Sequence, residues 1–248
     1  MSDGDRDEAL AGRRFGAAAD AYVAGRPGYP QEVVDWLIGD ARDIADVGAG
    51  TGKLTAALVG GGRTVTAVEP DAGMLDALRR EVPEAVALQG TAEALPLPDG
   101  SLDAVVLGQA WHWVDVPAAS AEAARVLRPR GVLGLVWNVR DTSVDWVERL
   151  GAVIRGSAAE RMIETDSVRV APPFGALERR DVRWARPMTV DALVAMAASR
   201  SYVIALSPEE RSGVLDGVRE LVATHPETAG RDVLDLPYLT SAFRAVRP

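Results

Sequence analysis

The sequence predicts an α/β fold built on a doubly wound, mostly parallel β-sheet, and three observations point to it. Short apolar runs alternate with amphipathic helical segments from residue 44 to residue 136, which is the order expected of β-α units in one parallel sheet. The runs are almost continuously apolar, as strands are when both faces of a sheet are covered. A glycine-rich segment at residues 48–52 follows the first run and opens the first helix of the series, and such a sheet binds its ligand at the carboxyl ends of its strands.

The individual elements follow from hydrophobic spacing and from the residues that interrupt it. Residues 8–25 are predicted to form a loose, Ala-rich helix, and Pro30 is predicted to begin a second helix that continues to Ile38 with one apolar face. The alternating region then contains predicted strands at residues 44–47, 64–68, 85–88, 102–107 and 132–136, with helices at residues 53–59, 72–81 and 118–127.

The alternation stops after Asn138. The second half contains predicted helices at residues 145–159, 190–199 and 208–223, and a strand-like segment at residues 181–184. Residues 233–246 form either a strand pair or one long strand that is kinked by Pro237. We interpret this half as the completion of the sheet together with a helical insertion over the binding edge.

Composition limits the classes of function. The 248 residues fit one domain, and 48% hydrophobic with 25% charged residues is typical of a globular core. No apolar run reaches the roughly 18 residues that span a bilayer, and the acidic, polar N-terminus is unlike a signal peptide, so we expect a cytoplasmic protein. The absence of cysteine excludes disulfides and thiolate chemistry. A net charge of −9 argues against nucleic acids and membranes as partners and favours small molecules.

The glycine segment is compatible with more than one kind of nucleotide ligand. A phosphate-binding P-loop is excluded because Leu54 replaces the required Ser or Thr, and because Val47 stands where its first glycine would be. A nicotinamide-binding loop would have glycine at the position of Lys53, so that interpretation is weaker but stays open. Glu69 ends the second strand about 20 residues after Gly48, where a carboxylate can bind both ribose hydroxyls of an adenosine ligand.

Four segments, taken together, resemble a known family. Residues 46–52 (DVGAGTG), 68–71 (VEPD), 90–103 (GTAEALPLPDGSLD) and 126–133 (VLRPRGVL) are similar to the successive motifs of class I S-adenosylmethionine (SAM) dependent methyltransferases. The resemblance covers residues 10–138, and within the family it points to the branch of trans-aconitate methyltransferase-like and small-molecule enzymes. It implies a Rossmann-like sheet of seven strands with an antiparallel C-terminal strand, and it implies that SAM is bound and S-adenosylhomocysteine (SAH) is released.

The resemblance also implies roles for individual residues. Residues 1–138 would form the SAM-binding core with an N-terminal helical lid, and residues 139–248 would complete the sheet and select the substrate within one structural domain. The glycine loop would hold the methionine part of SAM, Glu69 the ribose, and residues near Met74 and Thr91 the adenine; at Thr91 the family usually has aspartate. The implied cofactor contacts are Tyr22, Arg26, Asp46, Gly48, Ala49, Gly50, Gly52, Glu69, Pro70, Met74, Thr91, Ala92, Glu93 and Gln109.

Aromatic residues follow the fourth strand of the predicted sheet, where cofactor and substrate would meet. His112 is the candidate general base because histidine titrates near neutral pH, whereas His225 is expected to end a helix. The candidate substrate contacts are Tyr29, Trp111, Trp113, Trp137, Asn138 and Tyr202. No cluster of carboxylates or histidines has metal-ligand spacing, so no metal is expected.

The function that these observations favour is methyl transfer from SAM to oxygen, nitrogen or carbon of a small-molecule acceptor. A carboxylate or a natural-product intermediate is one option for that acceptor. Two alternatives stay open from the sequence: an NAD(P)-dependent oxidoreductase, and a SAM-binding protein without catalytic activity. The sequence predicts no particular oligomeric state.

Overall fold

The fold is a seven-stranded sheet with helices on both faces. A computed structural model describes residues 27–248 and gives the strand order β3-β2-β1-β4-β5-β7-β6. The strands are β1 (Asp43–Val47), β2 (Thr64–Glu69), β3 (Val86–Gln89), β4 (Leu102–Gly108), β5 (Leu127–Arg140), β6 (Glu178–Thr189) and β7 (Val233–Val246). The first five strands pair in parallel, and β7 is antiparallel to both β5 and β6. The predicted fold class is confirmed.

Nine helices and one short 3₁₀ turn connect the strands in the described part of the chain. They are α1 (Gln31–Ile38), α2 (Lys53–Leu58), α3 (Ala72–Glu81), the 3₁₀ turn (Trp111–Trp113), α4 (Val116–Val126), α5 (Asp145–Ile154), α6 (Ala158–Glu164), α7 (Val190–Ala198), α8 (Ser201–Ile204) and α9 (Pro208–Thr224). None of them is long and apolar enough to cross a membrane.

Apolar side chains bury the sheet from both sides, as the continuous apolar runs predict. On one face α1 and α2 pack against β1, β4 and β5 through residues such as Leu37 and Leu58. On the other face α4, α6 and the 3₁₀ turn cover the same strands around Trp111 and Trp137. A third cluster joins α5, α7 and α9 to the ends of β6 and β7, with Leu150 at its centre. The insertion helices therefore have a core of their own beside the sheet.

Strand β5 projects beyond its neighbour at the binding edge. The last pair between β4 and β5 is Gly108 with Val136, whereas residues from Trp137 to Arg140 pair only with β7. Four residues of extended chain span roughly 13 Å. The last four residues of β5 therefore project beyond the carboxyl end of β4, above the binding edge of the sheet.

The second half of the chain departs from the predicted elements in two places. The predicted helix at residues 145–159 is two helices, because Arg155 has a positive φ of 49° and Ser157 begins α6 with a capping box to Glu160. The strand-like segment at residues 181–184 is part of the much longer β6. Of the two options for residues 233–246, the structure has the single long strand. Pro237 is accommodated within β7, opposite Ala185. The predicted helix at residues 8–25 lies outside the described residues.

We predict opposite effects for two glycine-to-alanine substitutions. A Cβ at Gly134 on β5 would lie 2.7 Å from Cγ of Leu37 on α1, so Gly134→Ala should destabilise the protein by about 1–3 kcal/mol through overpacking. A Cβ at Gly151 in α5 meets nothing within 4 Å, so Gly151→Ala should stabilise by about 0.5–1 kcal/mol. Urea denaturation measures both, and equal stabilities for the two variants would contradict the α1–β5 packing.

Candidate functional site

The glycine loop connects the end of β1 to the start of α2 in a conformation that depends on glycine. Gly48, Gly50 and Gly52 have φ values of 67°, 56° and 89°, a region that other residues rarely adopt. A Cβ at Gly48 would lie 2.7 Å from Cβ of Ala110, whereas a Cβ at Gly50 meets only the sulfur of Met74, at 3.9 Å. The loop is therefore packed tightly on the side of β4 and is open at Gly50.

Glu69, at the end of β2, holds this loop through its carboxylate. The amide N–H of Gly50 donates to Oε2 (2.8 Å), and the amide N–H of Asp71 donates to Oε1 (3.0 Å). Glu69 is almost fully buried, and burial raises its pKa against the lowering effect of the two amides. Because each carboxylate oxygen has a second lone pair, Glu69 can brace the loop and still accept hydrogen bonds from a ligand.

Asp46, at the end of β1, lies fully buried beneath the loop. Its Oδ2 accepts a hydrogen bond from the hydroxyl of Thr55 (2.6 Å), while Oδ1 has no hydrogen-bond partner. Burial, reinforced by the negative charge of Glu69, raises the pKa of Asp46 to about 7 despite the Thr55 bond. The hydroxyl of Thr51 is also buried without a partner. Buried polar atoms normally find partners, so these two atoms indicate where a polar ligand can bind.

The expected adenine contacts lie between β2 and the start of α4. Met74 is buried at the start of α3, where its amide N–H donates to the side chain of Asp71. Pro70 and Thr91 are exposed, and Ala92 is partly buried. Oε1 of Glu93 accepts a hydrogen bond from the amide N–H of Asp115 (2.9 Å), so this side chain ties the 91–95 segment to α4.

Residues 109–113, which follow β4 and which we call the rim, are held in place by hydrogen bonds that their own side chains donate. Gln109 has a positive φ of 58°, and its Nε2 donates to the backbone carbonyl of Asn138 (2.8 Å) on β5. Trp111 is buried, and its indole N–H donates to the carbonyl of Arg169 (2.8 Å). Trp113 is 52% exposed. Trp111 thus supports the rim from within the core, and Trp113 presents an apolar surface beside it.

His112 is held in place by two tryptophans. Its ring lies 4.7 Å from that of Trp113, centroid to centroid, and the indole N–H of the fully buried Trp137 lies 3.3 Å from Nδ1. An indole N–H can only donate, so Nδ1 is the acceptor and carries no proton. Neutral His112 therefore has its proton on Nε2.

Asn138 connects β5 to the segment that precedes α1. Its Nδ2 donates to the carbonyl of Gly28 (2.9 Å), and its Oδ1 accepts from the hydroxyl of Thr240 (2.6 Å), which in turn accepts from the indole of Trp184 (2.8 Å). This buried chain crosses three strands. Tyr29 follows Gly28, and a Cβ at Gly108 would lie 2.7 Å from its hydroxyl oxygen. Tyr22 and Arg26 lie outside the described residues.

Sequence reasoning predicted Tyr202 as a substrate contact but missed four charged residues that lie near it at the end of β5. Arg140, the last residue of β5, donates from Nε to Oε1 of Glu160 (2.8 Å), and the side chains of both are less than one-tenth exposed. Nη2 of Arg200 lies 3.4 Å from Oε2 of the same glutamate, and the guanidinium of Arg155 lies 5.6 Å from the ring centroid of Tyr202. We call these five residues the arginine cluster. Arginine is abundant throughout this chain, so the sequence gave no reason to assign a functional role to these arginines in particular.

The other histidine has a structural role. His225 is the C-cap residue of α9, as expected, and it is buried. Its Nδ1 accepts from the amide N–H of Glu227 (3.2 Å), which leaves the proton on Nε2 to donate to Asp145 (2.8 Å). Among the residues from 27 onward, no group of three or more carboxylate and histidine side chains could hold a metal ion.

Known proteins with similar sequences are methyltransferases. The sequence profile of the family described as "Methyltransferase domain" matches residues 45–135. An uncharacterised methyltransferase of Mycobacterium tuberculosis is 50% identical over 232 residues, which are 93% of this chain and 94% of the relative. An uncharacterised methyltransferase of Schizosaccharomyces pombe is 32% identical over 245 residues, with 94% and 97% covered.

A solved structure has a similar fold. The putative type II methyltransferase of Anaeromyxobacter dehalogenans superposes with a TM-score of 0.67 at 27% identity, and the match covers 90% of this chain and 96% of that one. The similarity therefore extends over the strands and helices that follow the profile match as well as over those within it.

The raised pKa of Asp46 predicts a pH dependence of stability. Its carboxyl titrates near pH 4 when unfolded and at about 7 when folded, so the folded protein binds the extra proton and loses stability as pH rises through this window. Asp46→Asn should remove that loss, and its stability relative to the wild type should rise by up to about 1.4 kcal/mol per pH unit. Urea denaturation from about pH 5 to about pH 8 measures the difference.

The matched control is Asp76→Asn, since Asp76 is an exposed carboxylate on α3 that pairs with Arg79. Its stability relative to the wild type should not follow the Asp46→Asn curve. Parallel pH profiles for the wild type and Asp46→Asn would show that Asp46 is ionised in the folded protein throughout this range.

Proposed function

Because the chain belongs to the class I SAM-dependent methyltransferase family, we propose that it transfers the methyl group of SAM to an oxygen, nitrogen or carbon atom of a small-molecule acceptor. The observation that carries this proposal is the open glycine loop with two buried, unpartnered polar atoms beneath it, Oδ1 of Asp46 and the hydroxyl of Thr51. The net charge of −9 favours a cytoplasmic enzyme that acts on small molecules rather than on nucleic acids.

We infer that the residues at the carboxyl edge of the sheet bind SAM. The glycine loop would hold the methionine part, and the second lone pairs of the Glu69 oxygens would accept the two ribose hydroxyls. Met74 and Pro70 would pack on one side of the adenine, with Thr91, Ala92 and Glu93 at its edge. Two buried carboxylates whose pKa values are raised favour a ligand of net positive charge such as SAM.

Methyl transfer is an in-line displacement, for which SAM supplies an electrophilic methyl group. The protein must align the acceptor and exclude water. Gln109 and Asn138 fix the rim on which the acceptor would lie, and Trp113 would cover an apolar part of it. We propose that Trp137 sets the tautomer of His112, so that Nε2 donates a hydrogen bond to the acceptor. For Nε2 to act as a general base, neutral His112 would have to carry its proton on Nδ1, and the hydrogen bond from Trp137 would be lost.

The relatives argue against the oxidoreductase alternative. Half of the residues are identical to those of a methyltransferase over nearly the whole chain, and Lys53 stands where a nicotinamide-binding loop needs glycine. Detection of a methylated product would exclude the second alternative, a SAM-binding protein without activity.

The cofactor assignment predicts that Gly50→Ala weakens SAH binding. The new methyl group would enter the open side of the loop, and a Cβ there meets only the Met74 sulfur at 3.9 Å, so the protein's own packing is preserved. Isothermal calorimetry should show SAH binding and no NADPH binding to the wild type, and at least roughly tenfold weaker SAH binding to the variant.

Gly100→Ala is the matched control for this experiment. Gly100 also has φ of 56°, and a Cβ there meets nothing within 4 Å. Both variants should lose about 1–2 kcal/mol of stability to the same backbone strain, but only Gly50→Ala should lose SAH. Equal SAH affinities for the two variants would contradict the assignment of the loop.

The proposed tautomer of His112 predicts different activities for two variants. His112→Gln retains an N–H donor without a base, so it should keep most of the methyl-transfer rate, whereas His112→Ala should lose most of it. If His112 is a general base, both variants should fall by roughly 10²-fold or more, and the acidic limb of the pH-rate profile should disappear in both. Transfer of labelled methyl from SAM measures the rates, and SAH calorimetry shows whether the cofactor site is intact.

A further inference from the structure

The arginine cluster contains two buried hydrogen-bond donors that the protein does not use. Arg140 donates from Nε to Glu160 and from Nη2 to the carbonyl of Arg155 (3.3 Å), but Nη1 has no partner. The hydroxyl of Tyr202 on α8 is also buried without a partner. A buried guanidinium nitrogen that lacks a partner is costly, so the position of Nη1 requires an explanation.

Glu160 does not provide the missing acceptor. Its Oε1 accepts from Nε of Arg140, and its Oε2 accepts from the amide N–H of Ser157 (2.6 Å) and lies 3.4 Å from Nη2 of Arg200. Burial alone would raise the pKa of Glu160, but the hydrogen bond and charge of Arg140, with the charge of Arg200, hold it at about 2. The glutamate is therefore ionised. It positions Arg140 but leaves Nη1 without an acceptor.

The two unused donors are connected through Arg155. Nη2 of Arg140 donates to the carbonyl of Arg155 (3.3 Å), and the guanidinium of Arg155 lies 5.6 Å from the ring centroid of Tyr202. Burial raises the pKa of Tyr202, while the charges of Arg200, Arg155 and Arg140 act against that shift. One phenol O–H and one guanidinium arm match the two oxygens of a carboxylate.

The position of the cluster connects it to the acceptor. Arg140 is two residues after Asn138, so both lie on the same face of β5, on the part of the strand that rises above the binding edge. Helix α6, which carries Glu160, packs against β5 and against the 3₁₀ turn that contains His112. The cluster therefore borders the rim on the side away from the glycine loop.

We propose that Nη1 of Arg140 and the hydroxyl of Tyr202 bind a carboxylate of the methyl acceptor and thereby position its nucleophilic atom at the rim. This inference rests on the proposed function for the identity of the ligand as an acceptor, but the anion pocket itself does not depend on SAM.

The experiment uses benzoate as the probe and benzamide as its neutral analogue. Each is titrated into the full chain while the Nε–Hε resonance of Arg140 is followed by ¹⁵N NMR, with inorganic phosphate as a third arm. We expect benzoate to shift this resonance in a saturable manner, and benzamide and phosphate to bind at least tenfold more weakly. An equal response to benzamide, a stronger response to phosphate, or no response to benzoate would overturn the proposal.

Two variants locate the binding. Arg140→Lys keeps the charge beside Glu160 but loses the second arm of the fork, and Tyr202→Phe removes a hydroxyl that makes no hydrogen bond in the protein. Because Arg140→Lys lacks the Nε–Hε resonance, benzoate binding to the variants and to the wild type is measured by calorimetry. Both variants should bind benzoate more weakly by roughly tenfold or more, and Tyr202→Phe should do so without lowering the melting temperature. Arg219→Lys, at an exposed arginine of α9 that pairs with Asp216, is the control and should bind as the wild type does. Benzoate binding unchanged in both cluster variants would place the anion elsewhere.

SAH calorimetry on the same samples separates the two proposals. Benzoate binding without SAH binding would refute the proposed function and support the anion pocket. SAH binding without benzoate binding would refute the anion pocket and support the proposed function.

Discussion

The carboxylate of Glu69 is the interaction on which the binding edge depends. It accepts one amide N–H from the glycine loop and one from the turn that leads into α3, so it joins two loops that the sheet itself leaves unconnected. Hydrogen bonds to an ionised acceptor are among the stronger ones in proteins. Without them the glycine loop would be held to β2 only by the hydrogen bonds that the amide N–H groups of Gly48 and Ala49 donate to the carbonyl of Val68.

Burial of the Glu69 and Asp46 carboxylates makes the site electrostatically unfavourable in the absence of a ligand. Burial raises the pKa of both carboxyls, and the charge of Glu69 raises that of Asp46 further. Apart from its hydrogen bonds with Thr55, Asp46 has no compensating partner among the residues that the structure describes, and its nearest recorded charge is a second carboxylate. A site of this kind gains more from a cationic, hydroxyl-bearing ligand than from an anionic nucleotide, which agrees with the exclusion of the P-loop at Leu54.

The cofactor half of the site could be predicted from the sequence because its parts are local. The glycine loop and Glu69 are strand-end features in consecutive β-α units, and the apolar runs that position them were correctly located to within one or two residues. The second half was harder because its elements depend on contacts that are distant in sequence. β6 owes its length to β7, and the break between α5 and α6 depends on Ser157, whose capping box with Glu160 competes with a continuous helix.

The arginine cluster shows why side-chain function in that half escapes sequence reasoning. Its members come from β5, from α6, and from the segments that follow α5 and α7, and only tertiary packing brings them together. One local indication existed, because Asn138 and Arg140 share a face of the strand. The hydrogen bonds that the two side chains make distinguish their roles. The polar atoms of Asn138 are bonded to Gly28 and Thr240, so it is part of the framework, whereas Arg140 keeps one buried donor unused. A ligand explains an unused buried donor beside the proposed active-site rim better than stability does, because stability would favour its removal.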